Sequence, residues 1–338
     1  MDLSLSGEQR QLVESFSAIY GRESTSERVR AAEPSGFDPK LWAVLLSTGA
    51  VEMAVAEVAG GWGATELELT LIAEQYGRAV ASAPVIEAQV GAKLLSACGQ
   101  PGADLLADVL AGDALVTFTP RPARGDVLHV VPAGAVADVV VAFVDEVVVA
   151  VPVGDDRYVI DNLGSLPLAD IQVRDAVVLA DGNGGRLLYS AAVDLWLTLT
   201  AAALAGAARK AVELGVEYAK QRHAFGTSIG SFQAVSHPLA DSATAVDGAQ
   251  LLAFEAACAF ADEPARVTEL AAMAFAFAYE TARDATSRSL HIHGGYGFGM
   301  EGDIQLYYRR VRGWAMVFGD AGVALDRVAD ARYGTVAG

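Results

Sequence analysis

QRHAFGTSIGSFQAVSHPLADSATAV, residues 221–246, links two apolar helical stretches through a loop that holds far more chemistry than a connection needs. Arg222, Phe225, Thr227, Ser228 and Ser231 crowd together with Gly226 and Gly230. A plain link between helices needs a few polar residues and one glycine. A forked cation, an aromatic ring, several hydroxyls and open backbone in one short run form a set of groups suited to gripping a ligand.

The bulk composition limits what that ligand can be. At 338 residues the chain can hold two or three domains or one large helical unit, and its 53% apolar content supports a sizeable core. The net charge of −18 argues against general nucleic-acid binding, which needs a positive field to replace phosphate counterions, but leaves room for an anionic ligand held by local arginines. Cys98 and Cys258 are far apart and read as buried thiols of a reducing compartment. The five histidines make no metal-binding pair; His291 and His293 are close, but belong to a turn, so no metal is expected. MDLSLSGEQRQLVESF lacks a basic segment followed by an apolar run, so no secretory signal is expected. The most apolar segment, 137–154, is valine-rich and broken by Asp145 and Glu146, which predicts strands rather than a membrane span. A cytoplasmic protein is the expectation.

Three zones follow along the chain. Residues 1–113 read as helices: Ser6 precedes Glu8 and Gln9 as an N-cap, and Leu12, Val13, Phe16 and Ile19 recur at helical spacing. FDPKLWAVLLSTG stops at Gly49, a C-cap residue, and GGWG leads into a long helix. Residues 114–186 change texture: LVTFTP, VLHVVP, ADVVVAFVDEVVVAVPV and RYVIDN predict short antiparallel strands. From 187 to 338 the pattern is helical again, opening with a long helix over 194–222. The predicted fold class is α+β, mainly helical, with an N-terminal helical domain, a small middle β domain and a C-terminal helix bundle.

That order, with its motifs, resembles the acyl-CoA dehydrogenase family over nearly the whole chain. QRHAFGTSIGSFQAVSHPLAD is similar to the family signature of an arginine, then FG, then FQ, a histidine and LAD. LHIHGGYGFGMEGDIQLYYRR (290–310) resembles its second signature, a glycine-rich turn followed by Glu, Tyr and Arg. The resemblance implies FAD, with Arg222 a fixed positive fork for the pyrophosphate, Phe225 an aromatic face, Gly226 close backbone approach, and Ser231 and Gln233 hydrogen bonds. It also implies that His291, Gly294 and Gly295 meet the cofactor bound by a neighbouring subunit. His291 stands where glutamine is common and Ala224 where a hydroxyl residue is; Pro238 lies early in the next helix, a place tolerable only in the first turn.

Family chemistry removes a proton α to a thioester carbonyl while the β-hydride passes to the flavin, so a carboxylate base must reach the α carbon. Counting from Tyr308 and Arg309, the usual glutamate position falls on Phe318, with Asp320 two residues beyond. Counting back from Arg222 and Phe225, the alternative position of other members falls on Trp196. Glu301 matches a structural position. Where full-length members open the sheet domain with TEPxAGSD, this chain reads FTPRPARGD, and no tryptophan lies between Trp62 and Trp196.

Three readings stay open. The chain is a subunit completing the FAD site of a partner that carries the glutamate, as in steroid side-chain dehydrogenases; or a homomer using Asp320, whose shorter, displaced side chain geometry disfavours; or a non-catalytic structural subunit. The resemblance further implies an acyl-CoA substrate, by analogy a steroid-derived one, an electron-transfer flavoprotein as acceptor, and a closed assembly such as a heterotetramer. RPAR (121–124) and YYRRVR (307–312) are candidates for touching CoA phosphates, set against the plainer reading of solvated faces or internal pairs; Arg309 reads as structural.

Overall fold

A computed structural model describes residues 4–334. Helices α1 (Gly7–Glu23), α2 (Ser26–Ala32), α3 (Pro39–Ser47), α4 (Glu66–Arg78), α5 (Val85–Ala97) and α6 (Ala103–Ala111) come first. Ser6 caps α1 in a reciprocal box: its hydroxyl accepts from the Gln9 amide at 3.1 Å, and Gln9 Oε1 accepts from the Ser6 amide at 3.0 Å. Asp38 caps α3 ahead of Pro39, and Gly49 follows its end at φ +70°, as the sequence predicts.

Seven strands follow: β1 (Val116–Phe118), β2 (Val127–Val131), β3 (Val139–Val144), β4 (Val147–Pro152), β5 (Tyr158–Val159), β6 (Ala169–Gln172) and β7 (Val177–Ala180). They form a four-stranded sheet in the order β1-β3-β4-β7 and a three-stranded sheet in the order β2-β6-β5. The antiparallel expectation fails at one pair, since β1 runs parallel to β3; the 20 residues of loop and β2 between them supply the crossover that a hairpin cannot. The sequence pattern also passed over β6 and β7, each only four residues long; β6 reads ADIQ, and the apolar VVLA of β7 is too short a run to stand out.

Alternate residues of β3 and β4, among them Val140, Ala142 and Val151, pack with Leu128 and Ile171 of the other sheet. The opposite face of β3 carries Phe143, stacked on Tyr189 at 4.8 Å. Burial on both faces explains why this stretch reads as an unbroken apolar run. The β3–β4 turn places Asp145 and Glu146 at φ +46° and +70°, the two-residue geometry that favours Asn-Gly. Replacing them with Asn-Gly is expected to raise stability by about 0.5–1 kcal/mol, read as a higher melting midpoint.

The remaining elements are α7 (Gly182–Gln221), β8 (His223–Ala224), β9 (Thr227–Ser228), α8 (Gln233–Asp262), α9 (Val267–His293), α10 (Gly295–Phe298), α11 (Ile304–Met316) and α12 (Ala321–Tyr333). The 40-residue α7 starts earlier than the apolar pattern suggests, because its first turns carry Asn, Gly and Arg. By length and composition it would cross a membrane, yet 78% of its most apolar window is buried within the protein. Pro238 lies in the second turn of α8 rather than the first; the acceptor it leaves unbonded, the Ala234 carbonyl, belongs to an exposed residue, where water can satisfy it.

Contacts divide the chain into two units: residues 1–29, 70–81 and 197–338, and residues 30–69 and 82–196. In the first, α1 joins the bundle through a run of rings, Tyr20 to Tyr76 at 6.3 Å and Tyr76 to Trp314 at 5.1 Å. Residues of α4 are held by Arg78 paired with Glu213 at 2.9 Å and by Tyr307 donating to the Arg78 carbonyl at 2.8 Å. Buried Glu74 accepts from Gln250 at 2.8 and 2.9 Å; its burial raises the carboxyl pKa against the opposing pull of Gln250 and Arg209. The overall architecture is mainly helical, with a helical N-terminal region, a small sheet region and a C-terminal bundle.

Candidate functional site

The loop after α7 is a small hairpin. β8 and β9 pair His223 with Ser228 and Ala224 with Thr227, which leaves Phe225 and Gly226 as the turn at φ +54° and +82°. Positive φ is unfavourable for phenylalanine, and this ring is 98% exposed. Phe232 lies edge-on to it at 6.2 Å. A strained backbone that holds an aromatic out in water gains nothing for the isolated fold, which fits a side chain placed for a ligand. Arg222 is exposed and set by its own backbone, whose carbonyl accepts from the Ile229 amide at 2.8 Å. The Ser231 hydroxyl donates to the Ser228 carbonyl at 2.7 Å, so inside this chain it stiffens the loop; Gln233, the first residue of α8, is exposed.

The glycine-rich turn closes α9. Gly294 sits at φ +59°, donating its amide to the His291 carbonyl at 3.0 Å, and Gly295 opens α10. His291 is exposed, whereas His293 is buried and stacks on Tyr218 at 4.4 Å. Tyr218 also lies parallel to Tyr296 at 6.3 Å, so this one ring, a turn before Arg222, ties the hairpin's root to the glycine turn. The sequence gives no local sign of this stack, because its members lie more than 70 residues apart.

Neither base position offers a proton acceptor. Phe318 packs edge-on against buried Phe275 at 5.6 Å. Trp196 is 1% exposed, and its indole donates to Glu87 Oε1 at 3.3 Å. Glu87 is a carboxylate that motif reading missed, although a lone acid within the apolar run VIEAQV is a visible signal. Burial raises its pKa, against the opposing effects of a backbone hydrogen bond and the indole. Asp320 is the N-cap of α12, its Oδ1 accepting from the amides of Gly322 at 2.9 Å and Val323 at 3.3 Å. Glu301 is exposed beside the glycine turn.

Within YYRRVR, the arginines turn inward. Arg310 is buried, donating to the Ala81 carbonyl at 3.2 Å with Trp314 beneath it. Arg312 lies 3.6 Å over the Tyr308 ring and donates to Ser287 Oγ at 2.9 Å, and burial pulls its pKa down. Arg309 donates to Gln305 at 2.7 Å. These contacts are internal, to rings, carbonyls and side-chain oxygens. Arg121 of RPAR is half-buried, its pKa lowered by burial and by the like charge of Arg124. No group of three or more His, Cys, Asp or Glu side chains that could hold a metal occurs among the described residues.

The donor set suits a dinucleotide. A side-chain methyl at Gly226, Gly294 or Gly295 would meet nothing within 4 Å. Gly226 and Gly294 need glycine for their positive φ, but Gly295 has neither that need nor a crowding neighbour within the chain. Its bare backbone fits close approach by a molecule from outside. Arg222, Phe225, Gln233 and these glycines could therefore hold FAD, whose chemistry when bound is to take up a hydride equivalent.

A helical region, a small sheet region and a helix bundle with such loops define the acyl-CoA dehydrogenase type of scaffold. Models of the acyl-CoA dehydrogenase N-terminal domain and C-terminal domain match residues 6–103 and 195–332, and the chain belongs to the acyl-CoA dehydrogenase family. It is 29% identical over 327 residues to acyl-CoA dehydrogenase IpdE2 of Mycolicibacterium smegmatis, covering 96% of this chain and 98% of that one. A chain of the ChsE4-ChsE5 complex from Mycobacterium tuberculosis superposes with a TM-score of 0.89 at 23% identity, covering 100% of both chains. A variant of the Tcur3481-Tcur3483 steroid ACAD gives 0.86 at 25% identity, covering 96% of this chain and 97% of that one.

Proposed function

We propose that this chain is a subunit of a FAD-dependent acyl-CoA dehydrogenase, one that completes the FAD site of a partner carrying the catalytic glutamate. The observation that carries the reading is that both base positions are filled by packed aromatic rings, Phe318 on Phe275 and Trp196 on Glu87, while Phe225 stands exposed on the cofactor loop. An α-proton needs a positioned acceptor, and removing one forfeits about 10²–10⁴-fold in rate. A chain that presents cofactor-binding groups without that acceptor supports the division of labour between unlike subunits.

In this reading Arg222 neutralises pyrophosphate charge, Phe225 offers its face, Gln233 donates or accepts at the loop's end, and Gly294 and Gly295 let backbone approach the cofactor of the adjoining subunit. The partner's carboxylate takes the α-proton, and an electron-transfer flavoprotein accepts the electrons. The likeness to a named steroid dehydrogenase and to a two-component complex supports a bulky, steroid-derived acyl-CoA thioester and a heteromeric assembly.

The visible absorption spectrum tests this. The chain purified alone is expected to be colourless, and to copurify with flavin when coexpressed with a base-bearing homologue. One FAD per chain in the isolated protein, with turnover, would overturn the reading and favour a homomer. Asp320 separates the two further: asparagine caps helices as well as aspartate does, so Asp320→Asn is expected to leave both the melting midpoint and turnover of the assembly unchanged, whereas Asp320→Ala loses about 1 kcal/mol of stability. Loss of turnover in the asparagine variant would identify Asp320 as the base.

A further inference from the structure

Helix α8 lacks one rung near its start and is braced there from outside. It begins at Gln233 with no side-chain cap, and Pro238 has no amide to give the Ala234 carbonyl. The proline ring also crowds that carbonyl, so the first turn of the helix can pivot against the rest. That turn carries Gln233 and leads back into the loop of Phe225 and Arg222.

The brace is Arg288 of α9. Its Nη1 donates to the Pro238 carbonyl at 3.3 Å and to Ser242 Oγ at 3.1 Å, while Ser242 Oγ donates to the same carbonyl at 2.8 Å. Three contacts thus close a small ring of hydrogen bonds at the pivot. A serine bonded back to the carbonyl four residues earlier bends a helix, and here the guanidinium fixes the peptide plane at that bend. Ser242 is buried, so water does not compete for the position. Charge pairing does not explain Arg288. Asp284, about one turn before it, pairs with Arg283 at 3.1 Å, and Arg288 makes no ion pair among the described residues. A half-buried cation bonded to two neutral oxygens has a geometric part to play.

Arg288 lies within one turn of His291 and within two turns of Gly294. One side chain therefore joins the helix that starts at Gln233 to the helix that ends in the glycine turn. The loop's other end is tied to α9 as well, through Tyr218 stacked on His293 at 4.4 Å. We infer that Arg288 is a positioning residue of the cofactor site: it holds the α8 pivot so that Gln233 and the loop before it keep their setting against the glycine turn. This deepens the proposed function and rests on its FAD site.

Arg288→Met keeps the aliphatic stem and removes the donors, whereas Pro238→Ala restores the missing amide and lowers the need for a brace. Hydrogen exchange is read first, in the isolated full chain, at Val235 and Ser236, whose amides donate to the Phe232 carbonyl at 2.9 and 3.0 Å. Arg288→Met is expected to speed both about tenfold, and less than about twofold when Pro238→Ala is also present. In the assembly coexpressed with a base-bearing homologue, Arg288→Met is expected to weaken flavin binding about tenfold, again only with Pro238 in place. Unchanged exchange overturns the inference, and so does faster exchange with native flavin affinity. An equal flavin loss in both backgrounds overturns it too, because that marks direct contact with the cofactor. If Arg288→Met does not fold, Ser242→Ala, which removes one arm of the brace, must show at least about a threefold effect in the same two measurements, and a null result there is equally decisive. A native assembly without flavin overturns the FAD-site reading itself, and the exchange rates of the isolated chain tell that failure apart from this one.

Discussion

Gly77→Ala is expected to cost the fold about 3 kcal/mol or more, and to lower the melting midpoint by roughly 6–12 °C. Gly77 lies in α4 against α7, where an added methyl would overlap the backbone carbonyl of Ala203. The obstacle is main chain inside a 40-residue helix, so neither side can turn aside by changing a rotamer. The approach is made from both sides, since a methyl at Gly206 of α7 would overlap the Glu74 carbonyl. Forcing the pair apart would also strain the Glu74–Gln250 and Arg78–Glu213 links. Gly21, exposed in α1 with nothing within 4 Å of an added methyl, is the control. There, Gly21→Ala is expected to gain about 0.5–1 kcal/mol from helix propensity alone. Equal melting midpoints for the two variants would show that the α4–α7 approach is looser than described.

Arg222→Ala should strip flavin from the coexpressed assembly, with affinity falling about 10–100-fold, as expected for loss of a charge-assisted fork on a phosphate. The measurement is flavin absorbance per mole of complex after dialysis, with added FAD restoring it at higher concentration. Arg222 is exposed, so its melting midpoint as an isolated chain should move by less than about 1 °C. That pairing of a large cofactor effect with an unchanged fold separates a binding role from a structural one. Unchanged flavin content would point instead to a structural subunit with no part in the cofactor site.

Local order was legible in the sequence wherever one stretch carries its own cause. The Ser6 capping box, the Asp38–Pro39 start, the Gly49 stop and the β3–β4 hairpin all rest on residues within a few positions of one another. The cofactor-type loop around Phe225 and Gly226 and the aromatic identity of the base positions were legible as well, because spacing within a signature carries them, whereas the β8–β9 pairing that shapes that loop into a hairpin was not. Strand direction was less so: β1 (VTF) and β3 (VVVAFV) are both rich in β-branched residues, but such a pattern fixes which face is buried and leaves the choice of neighbour to long-range closure. Pro238 misled for a related reason, since its cost depends on whether the freed carbonyl faces water.

The sequence by itself determined the family's chain order, the cofactor-type loop and the loss of a carboxylate at positions 196 and 318, because these depend on residue identity and spacing along the chain. Only the tertiary structure decided what fills the empty chemistry. It set Glu87 against Trp196 across 109 residues, turned Arg310 and Arg312 into the protein, spent Asp320 on a helix cap and joined Tyr218 to the glycine turn. Each of those outcomes is a competition among side chains for one partner or one space, and no single stretch of chain contains both competitors.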